Sequence, residues 1–386
     1  MDEPERSSRC VRTGTDESIV CDGIPLELGT SLLTRQSTVR NTGLVLTIGA
    51  VVVLAGCSDT PASSDNASTI VRSTTNIAGA GVVGNNRTTV GLCPEAAPLD
   101  PTGIEGAVRP VGHSEGISEV PADPTRIVVL DPAALDASCA LGVWERVVGA
   151  PTLDPDFRGD GDQELYLGTG ISEIPSVGLV GAPDIDAIAG LAPDLIIGAD
   201  SLGPDTYSAL TDIAPTVFTS GDEGWKGAFL QSAAALGRGG TAFEELARFS
   251  ADAEQVGRDV NAFQTQASVV RFLPDSFTTD SPGSFAGEVL AEIGVQRPPS
   301  QRGDSVTGST ENVSAAEGDI VYVRFDGDDG ETFGKSVMSS EAWEDLGSAK
   351  DGRIFAVNDT VWSGSGIVAA RAILADVTAS LNAYVS

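Results

Sequence analysis

The chain has 386 residues and a formal net charge of −32, with 20% charged and 5% aromatic residues. Such an excess of acid repels nucleic-acid phosphates and anionic lipid heads, which excludes both as partners of the folded surface. The single histidine, His113, lies in a Pro/Gly-rich stretch. No Ser-His-Asp or Cys-His set, zinc cluster or axial haem histidine can be assembled around it, so a binder rather than an enzyme is expected.

Residues 1–38 read as an extension that is hard to place. Residues 1–34 carry seven acids against three arginines, unlike the basic start of an export signal. Translation is expected to begin downstream, at Leu32, Leu33 or Val39. The order of a signal follows, with Arg35 and Arg40 as its basic start and, within residues 39–57, an apolar run from Gly43 to Ala55 and "LAGC". The run has 13 residues, whereas crossing a bilayer takes about 20. L-A-G-C resembles a bacterial lipobox, in which the thiol of Cys57 takes a diacylglycerol. An exported protein, lipid-anchored on the outer face of the cell membrane, is the expectation. Residues 57–386 carry a net charge of −30 and are long enough for two lobes at ~100–200 residues per domain.

Residues 58–118 read as a flexible tether and loop. Positions 58–92 are rich in Ser, Thr, Asn, Gly and Ala. G79-A-G-V-V-G84 matches GxGxxG formally, but no strand precedes it and no helix pattern follows, so no nucleotide site is assigned. Cys93 and Cys139 form an even pair in an oxidising setting and are expected to be joined, two buried free thiols being the alternative.

Residues 119–238 alternate strand and helix patterns. "RIVVL", "RVVGA", "DLIIGA" and "PTVFT" are short apolar strands, and "PAALDASCALG" and "GPDTYSALTDIA" are helices. Such alternation predicts a largely parallel sheet covered on both faces. Residues 239–265 break the pattern with one connecting helix. Thr241 and Glu244 suggest a capping box, and Phe243, Leu246, Phe249, Ala253, Val256, Val260 and Phe263 recur on one face. The alternation restarts over 266–386 with "ASVVRFL", "SFAGEVLAEIG", "DIVYVRF", "GRIFAV" and a closing helix from Gly366 to Ala383. Asp186 lies eight residues before Asp194, and Glu311 eight before Asp319, each acid near a predicted helix start. "DGDDGE" (326–331) lacks the register of an EF-hand loop and reads as a solvated turn, and Arg302-Gly303-Asp304 reads as a chance tripeptide.

"VPADPTRIVVL", "LDASCALGVWERVVGA", "LAPDLIIGAD", "IAPTVF", "GVQRPPSQR" and "VWSGSGIVAARAIL" occur in order. Together they resemble ferric-siderophore substrate-binding lipoproteins of ABC importers, nearest the actinobacterial FecB-type branch, over about residues 119–386. The resemblance implies the class III periplasmic-binding-protein fold: two αβ lobes of mostly parallel sheet joined by one long rigid helix. It implies a ligand in the interlobe cleft, modest hinge motion and docking on an ABC permease through one acid on each lobe. Glu311 matches one docking position, and Asp186 replaces the usual glutamate at the other; solvated helix-start acids are the alternative reading.

A ferric siderophore brings its own iron ligands, so the protein supplies aromatic faces and cations, and no metal ligands are expected. Arg302 and Arg324, with Arg271, are the candidate cations, since a guanidinium both hydrogen-bonds and stacks. Trp225, Trp362, Tyr166 and Phe285 are the candidate aromatics, against ordinary core packing, whereas Trp144 and Trp343 read as structural. Haem or a corrinoid is the alternative cargo, and a cell-envelope interaction protein without transport is the alternative role. A monomer is expected.

Overall fold

The computed structural model describes residues 11–12, 19–20, 71–73, 75–84, 87–88, 92–101, 108–152 and 167–385. Residues 1–64 form a unit of their own, of which only the antiparallel pairing of Val11–Arg12 with Ile19–Val20 is described. Residues 65–386 form the second unit, to which the rest of this account refers.

Its N-terminal lobe is built on a six-stranded sheet, in the order Ala182–Pro183, Ser176–Leu179, Val147–Thr152, Ile127–Val129, Leu195–Ala199, Thr216–Thr219. All pairings are parallel except that of Ala182–Pro183 at the edge. The central strands are continuous apolar runs because both faces are covered. Ile127, Val129, Leu195 and Ile197 enter one core, and Val128, Leu130, Ile196 and Phe218 enter another. Strand order reverses between Ile127–Val129 and Leu195–Ala199, which opens a crevice beyond their carboxyl ends.

The C-terminal lobe carries a seven-stranded sheet, in the order Thr307–Gly308, Phe277–Thr279, Ala267–Phe272, Ile320–Phe325, Ile354–Ala356, Ala80–Val82, Asn76–Ile77. Its last two strands come from the stretch read as a tether. Ala78 and Gly79 adopt left-handed conformations (φ 47° and 88°) and turn a two-residue hairpin. Ala80–Val82 then pairs in parallel with Ile354–Ala356. A glycine takes such a φ freely, and the partner strand supplies the apolar edge that Ala-Gly-Val lacks. The loop expected over 94–118 contains an antiparallel hairpin of Val108–His113 and Gly116–Pro121. Arg109 fastens this hairpin by donating to the carbonyls of Ala234 and Ala235.

Arg87 and Cys93 contact different lobes. Arg87 pairs with Asp376 on the closing helix, Ile367–Leu381. Cys93 is then disulfide-bonded to Cys139 on the N-terminal lobe's helix Pro132–Ala140. The bond joins residues 46 apart. On the chain-entropy account, closing such a loop contributes about 4 kcal/mol.

The spine helix spans Gly239–Asp259 and is about 31 Å long at 1.5 Å per residue. It begins two residues before Thr241, and its first amides are not satisfied by the expected capping box. Asp100 supplies the cap from outside, its carboxylate accepting from Gly239 N (2.6 Å) and Gly240 N (2.9 Å). The buried face is Ala242, Leu246, Phe249, Ala253 and Gly257, whereas Phe243 and Phe263 are exposed. Small residues govern this face: a Cβ at Gly257 would overlap the Ile293 carbonyl on the neighbouring helix Phe285–Ile293. Asn261, left-handed at φ 51°, ends the spine.

One hydrophobic core runs through both lobes, from Leu135 and Val217 through Phe229 and Phe249 to Leu290, Tyr322 and Ile373. Asp136 crosses it. This fully buried carboxylate on Pro132–Ala140 accepts from Val368 N (2.9 Å) and Ala369 N (3.0 Å) at the start of the closing helix. A Cβ at Gly366 would overlap that carboxyl, so glycine is required there. Asp136→Ala leaves two buried amides unsatisfied and is expected to lower unfolding stability by about 3 kcal/mol in urea titration, with Asp136→Asn recovering part of the loss.

Candidate functional site

The helices that meet between the lobes place Trp225 at the junction. Trp225 opens the helix Gly224–Leu236 of the N-terminal lobe. Its ring stands edge-on to Phe249 of the spine (5.6 Å) and to Phe285 of the C-terminal lobe (5.7 Å). Lys226 Nζ lies 5.5 Å from the Trp225 ring centroid and pairs with Glu292 at 2.7 Å. Ser250 Oγ of the spine donates to the same carboxylate at 2.5 Å. Burial raises the pKa of Glu288 above its ordinary value; Lys226 opposes the rise and Glu292 adds to it.

On the C-terminal lobe, Arg271 and Arg324 are the penultimate residues of Ala267–Phe272 and Ile320–Phe325 and face each other in register. Both are engaged by carboxylates. Arg324 Nη2 donates to the two oxygens of Asp280 (2.7 and 3.0 Å), and its Nη1 donates to Asp359 (2.9 Å) and Ser363. Arg271 donates to Asp359 through Nε (3.0 Å) and Nη2 (2.8 Å), and to Asp326 (2.8 Å). Burial works against the charge of Arg271, but Asp359, Asp326 and Asp280 together raise its pKa. Arg297, buried behind them, donates to the carbonyls of Ala267 and Asp280 and so fixes the strand end from which Asp280 projects. Desolvation lowers the Arg297 pKa to about 10.

The cluster borders the junction. Asp359 and Ser363 lie just before Gly364, where a Cβ would approach the Phe285 ring, and Gly366, where it would meet Asp136. Across the junction, Asp131 follows the central strand Ile127–Val129 at the point of strand reversal. Its Oδ1 caps Pro132–Ala140 through Ala134 N (2.9 Å), while Oδ2 is buried without a hydrogen-bond partner.

The expected ligand-facing residues therefore separate. Trp225, Phe285, Arg271 and Arg324 lie at or beside the junction, but Trp225 is itself buried in the shared core and Arg324 is buried by its carboxylates, so only Phe285 and Arg271 are partly exposed there. Trp362 does not belong with them. It is fully buried, lies against Tyr322 (4.5 Å) and donates from Nε1 to Asp376 (2.9 Å), which makes it a core residue. Arg302 is exposed and stands apart. Its Nε donates to the Arg297 carbonyl (3.1 Å), and Pro298–Ser300 beside it border a hollow of about 420 Å³. Gln266, Gly318 and Asp319 also line this hollow, which puts it at the amino ends of the strands, away from Arg271 and Arg324. Tyr166 and Cys57 lie outside the described residues.

Asp186 and Glu311 are exposed. Asp184, not Asp186, caps the helix Ile185–Gly190 through Ala187 N (3.0 Å). Glu311 precedes the short turn Val313–Ala316, and its own amide donates to Ser309 Oγ. His113 ends its hairpin with Nε2 2.9 Å from Ser118 Oγ, away from the cluster. Among the described residues no group of three His, Cys, Asp or Glu is placed to hold a metal ion.

Residues 127–360, covering both lobes and the spine, match the family described as periplasmic binding protein. The chain belongs to that family. Among relatives, the probable siderophore-binding lipoprotein YfiY of Bacillus subtilis is 32% identical over 286 residues, 70% of this chain and 86% of that protein. The Fe(3+) dicitrate-binding periplasmic protein FecB of Escherichia coli is 27% identical, over 66% of this chain and 83% of its own. Among solved structures, Staphylococcus aureus SirA complexed with staphyloferrin B superposes with a TM-score of 0.60 at 25% identity, covering 71% of this chain and 98% of SirA. The family is one of substrate-binding proteins, and two lobes around a spine are its architecture here.

Among the missed residues, Asp280 and Asp359 act through arginines distant in sequence, and nothing local marks them, whereas Asp131 is a local cap that Asp-Pro at the helix start could have shown. Asp131 carries a pH signature. Burial raises its carboxyl to about 6 in the folded protein, above its unfolded value. The stability this protonated form supports is complete below the unfolded pKa and is lost as pH rises through about 6. Asp131→Asn keeps an oxygen for Ala134 N and removes the penalty. It is expected to raise the unfolding free energy by about 2–3 kcal/mol near pH 8 and to change it little near pH 4, measured by denaturation at both values.

Proposed function

We propose that this protein captures a ferric siderophore between its lobes and delivers it to the permease of an ABC importer for iron uptake. The 32% identity to a siderophore-binding lipoprotein along 70% of the chain carries this reading. The geometry supports it: an aromatic junction at Trp225 and Phe285 stands beside two arginines, on lobes that share one core. A common core favours small changes of cleft angle over wide opening, since large rearrangement would break the packing of the spine. Cys57 is the proposed lipidation site, which would hold the protein on the outer face of the membrane near its permease. Asp186 and Glu311, one exposed acid on each lobe, are the proposed contacts to permease arginines.

Titration of tryptophan fluorescence with ferric hydroxamate, catecholate and citrate chelates, with haem and cobalamin as controls, tests the cargo. Saturable quenching by one ferric chelate is expected. Phe285→Ala, which removes the half-buried aromatic face of the junction, should weaken it about tenfold. No saturation by any chelate in the folded protein would overturn the reading. Docking is tested separately. Asp186→Lys combined with Glu311→Lys should abolish siderophore-dependent iron uptake in cells while leaving chelate affinity within about twofold, because exposed charges far from the ligand act weakly through solvent.

A further inference from the structure

We infer that the cleft selects a ferric siderophore of neutral or positive net charge, such as a trihydroxamate bearing amide or ammonium donors, over a polyanionic chelate. This rests on the siderophore reading and narrows it.

The charge around the junction carries the inference. Arg271 and Arg324 are the cations that an anionic chelate would seek, and three carboxylates, Asp280, Asp326 and Asp359, already engage them. Arg324 is the more committed. Its side chain is 8% exposed, Asp280 holds it with both oxygens, and Asp359 and Ser363 take its other amino group. An incoming anion would have to expel a buried carboxylate whose two oxygens both accept from Nη2, or break the fork in which Arg271 Nε and Nη2 hold the two oxygens of Asp359. Freed of its arginine, that carboxylate would remain beside the anion.

No surplus cation stands opposite. Lys226, the cation at the junction on the other lobe, is paired with Glu292, and Glu288 adds a further acid. Together, Arg271, Arg324, Arg297 and Lys226 share this region with Asp280, Asp326, Asp359, Glu288 and Glu292, four positive groups against five negative. Arg302, which carries no carboxylate partner among the described residues, stands away from the junction. The net charge of −32 extends the same bias outward and slows the approach of anions. The exposed parts of Asp326 and Asp359 remain acceptors for a chelate that presents N–H donors.

Fluorescence titration of the full chain tests this with four ferric chelates: a cationic linear trihydroxamate, a neutral cyclic trihydroxamate, a trianionic tricatecholate and ferric dicitrate. The neutral or cationic chelate is expected to bind at least about a hundredfold more tightly than the tricatecholate. Asp326→Asn, at a half-exposed position paired only with Arg271, should narrow that ratio about tenfold by improving the anion's affinity. Tighter binding of the tricatecholate or dicitrate overturns the charge assignment and leaves the siderophore reading standing. A preference that Asp326→Asn and Asp359→Asn both leave unchanged also overturns it, since the carboxylates would not be its cause. Failure of all four chelates to bind overturns both.

Discussion

Two lobes with separate sheets behave as one body here because a carboxylate of one lobe ends the backbone of the other. Asp136 sits in the middle of Pro132–Ala140, yet its oxygens belong to the closing helix, whose amides at Val368 and Ala369 have no other acceptor at a helix start. A positive helix end beside a buried negative group satisfies both without water. The arrangement demands a bare backbone at Gly366, and it brings the loop 363–366 against the N-terminal lobe. Because that loop follows Asp359, the same contact that joins the lobes also sets the position of the arginine cluster.

The cluster in turn shows why buried arginines are a poor guide to ligand charge. A guanidinium taken from water is strongly penalised unless carboxylates accompany it. Asp280 and Asp359 meet that need for Arg324, and Arg297 meets it differently, through carbonyls alone at the expense of a lowered pKa. Once the cations are neutralised internally, the recognition surface is the outer face of the whole network rather than any one arginine. The acids decide its sign.

The alternation of strands and helices was legible because buried strands such as "RIVVL" and "DIVYVRF" are short runs rich in β-branched and aromatic residues, each followed by an aspartate. The spine was legible from its period, but its register was not. Phe243 and Phe263 look like core residues in sequence, while the contact with Ile293 needs Gly257 and turns Phe243 to solvent, and Phe263 lies in the turn beyond the helix end. Its cap was invisible because Asp100 lies 139 residues before the amide it serves. The site was half legible. Arg271, Arg324, Trp225 and Phe285 could be found from strand ends and helix starts, but the aspartates that govern them could not, and Trp362 shows that an aromatic after the last strand turns into the core as readily as into a cleft.

The stretch read as a tether is the most instructive difference. Ala-Gly-Val is too short and too small to fold alone, yet it completes the C-terminal sheet against Ile354–Ala356, whose free edge supplies the hydrogen bonds. From there the chain passes Asp376, joins Cys139 and caps the spine through Asp100, so that it touches the C-terminal lobe, the N-terminal lobe and the helix between them in turn. A segment fixed at three such points links the lobes a second time, independently of the spine. Two connections between bodies restrict their relative rotation more than one does, and the disulfide keeps the second from dissociating. The shared core alone would permit small hinge motion. The strap, tied to the closing helix and to the N-terminal lobe, restricts it further.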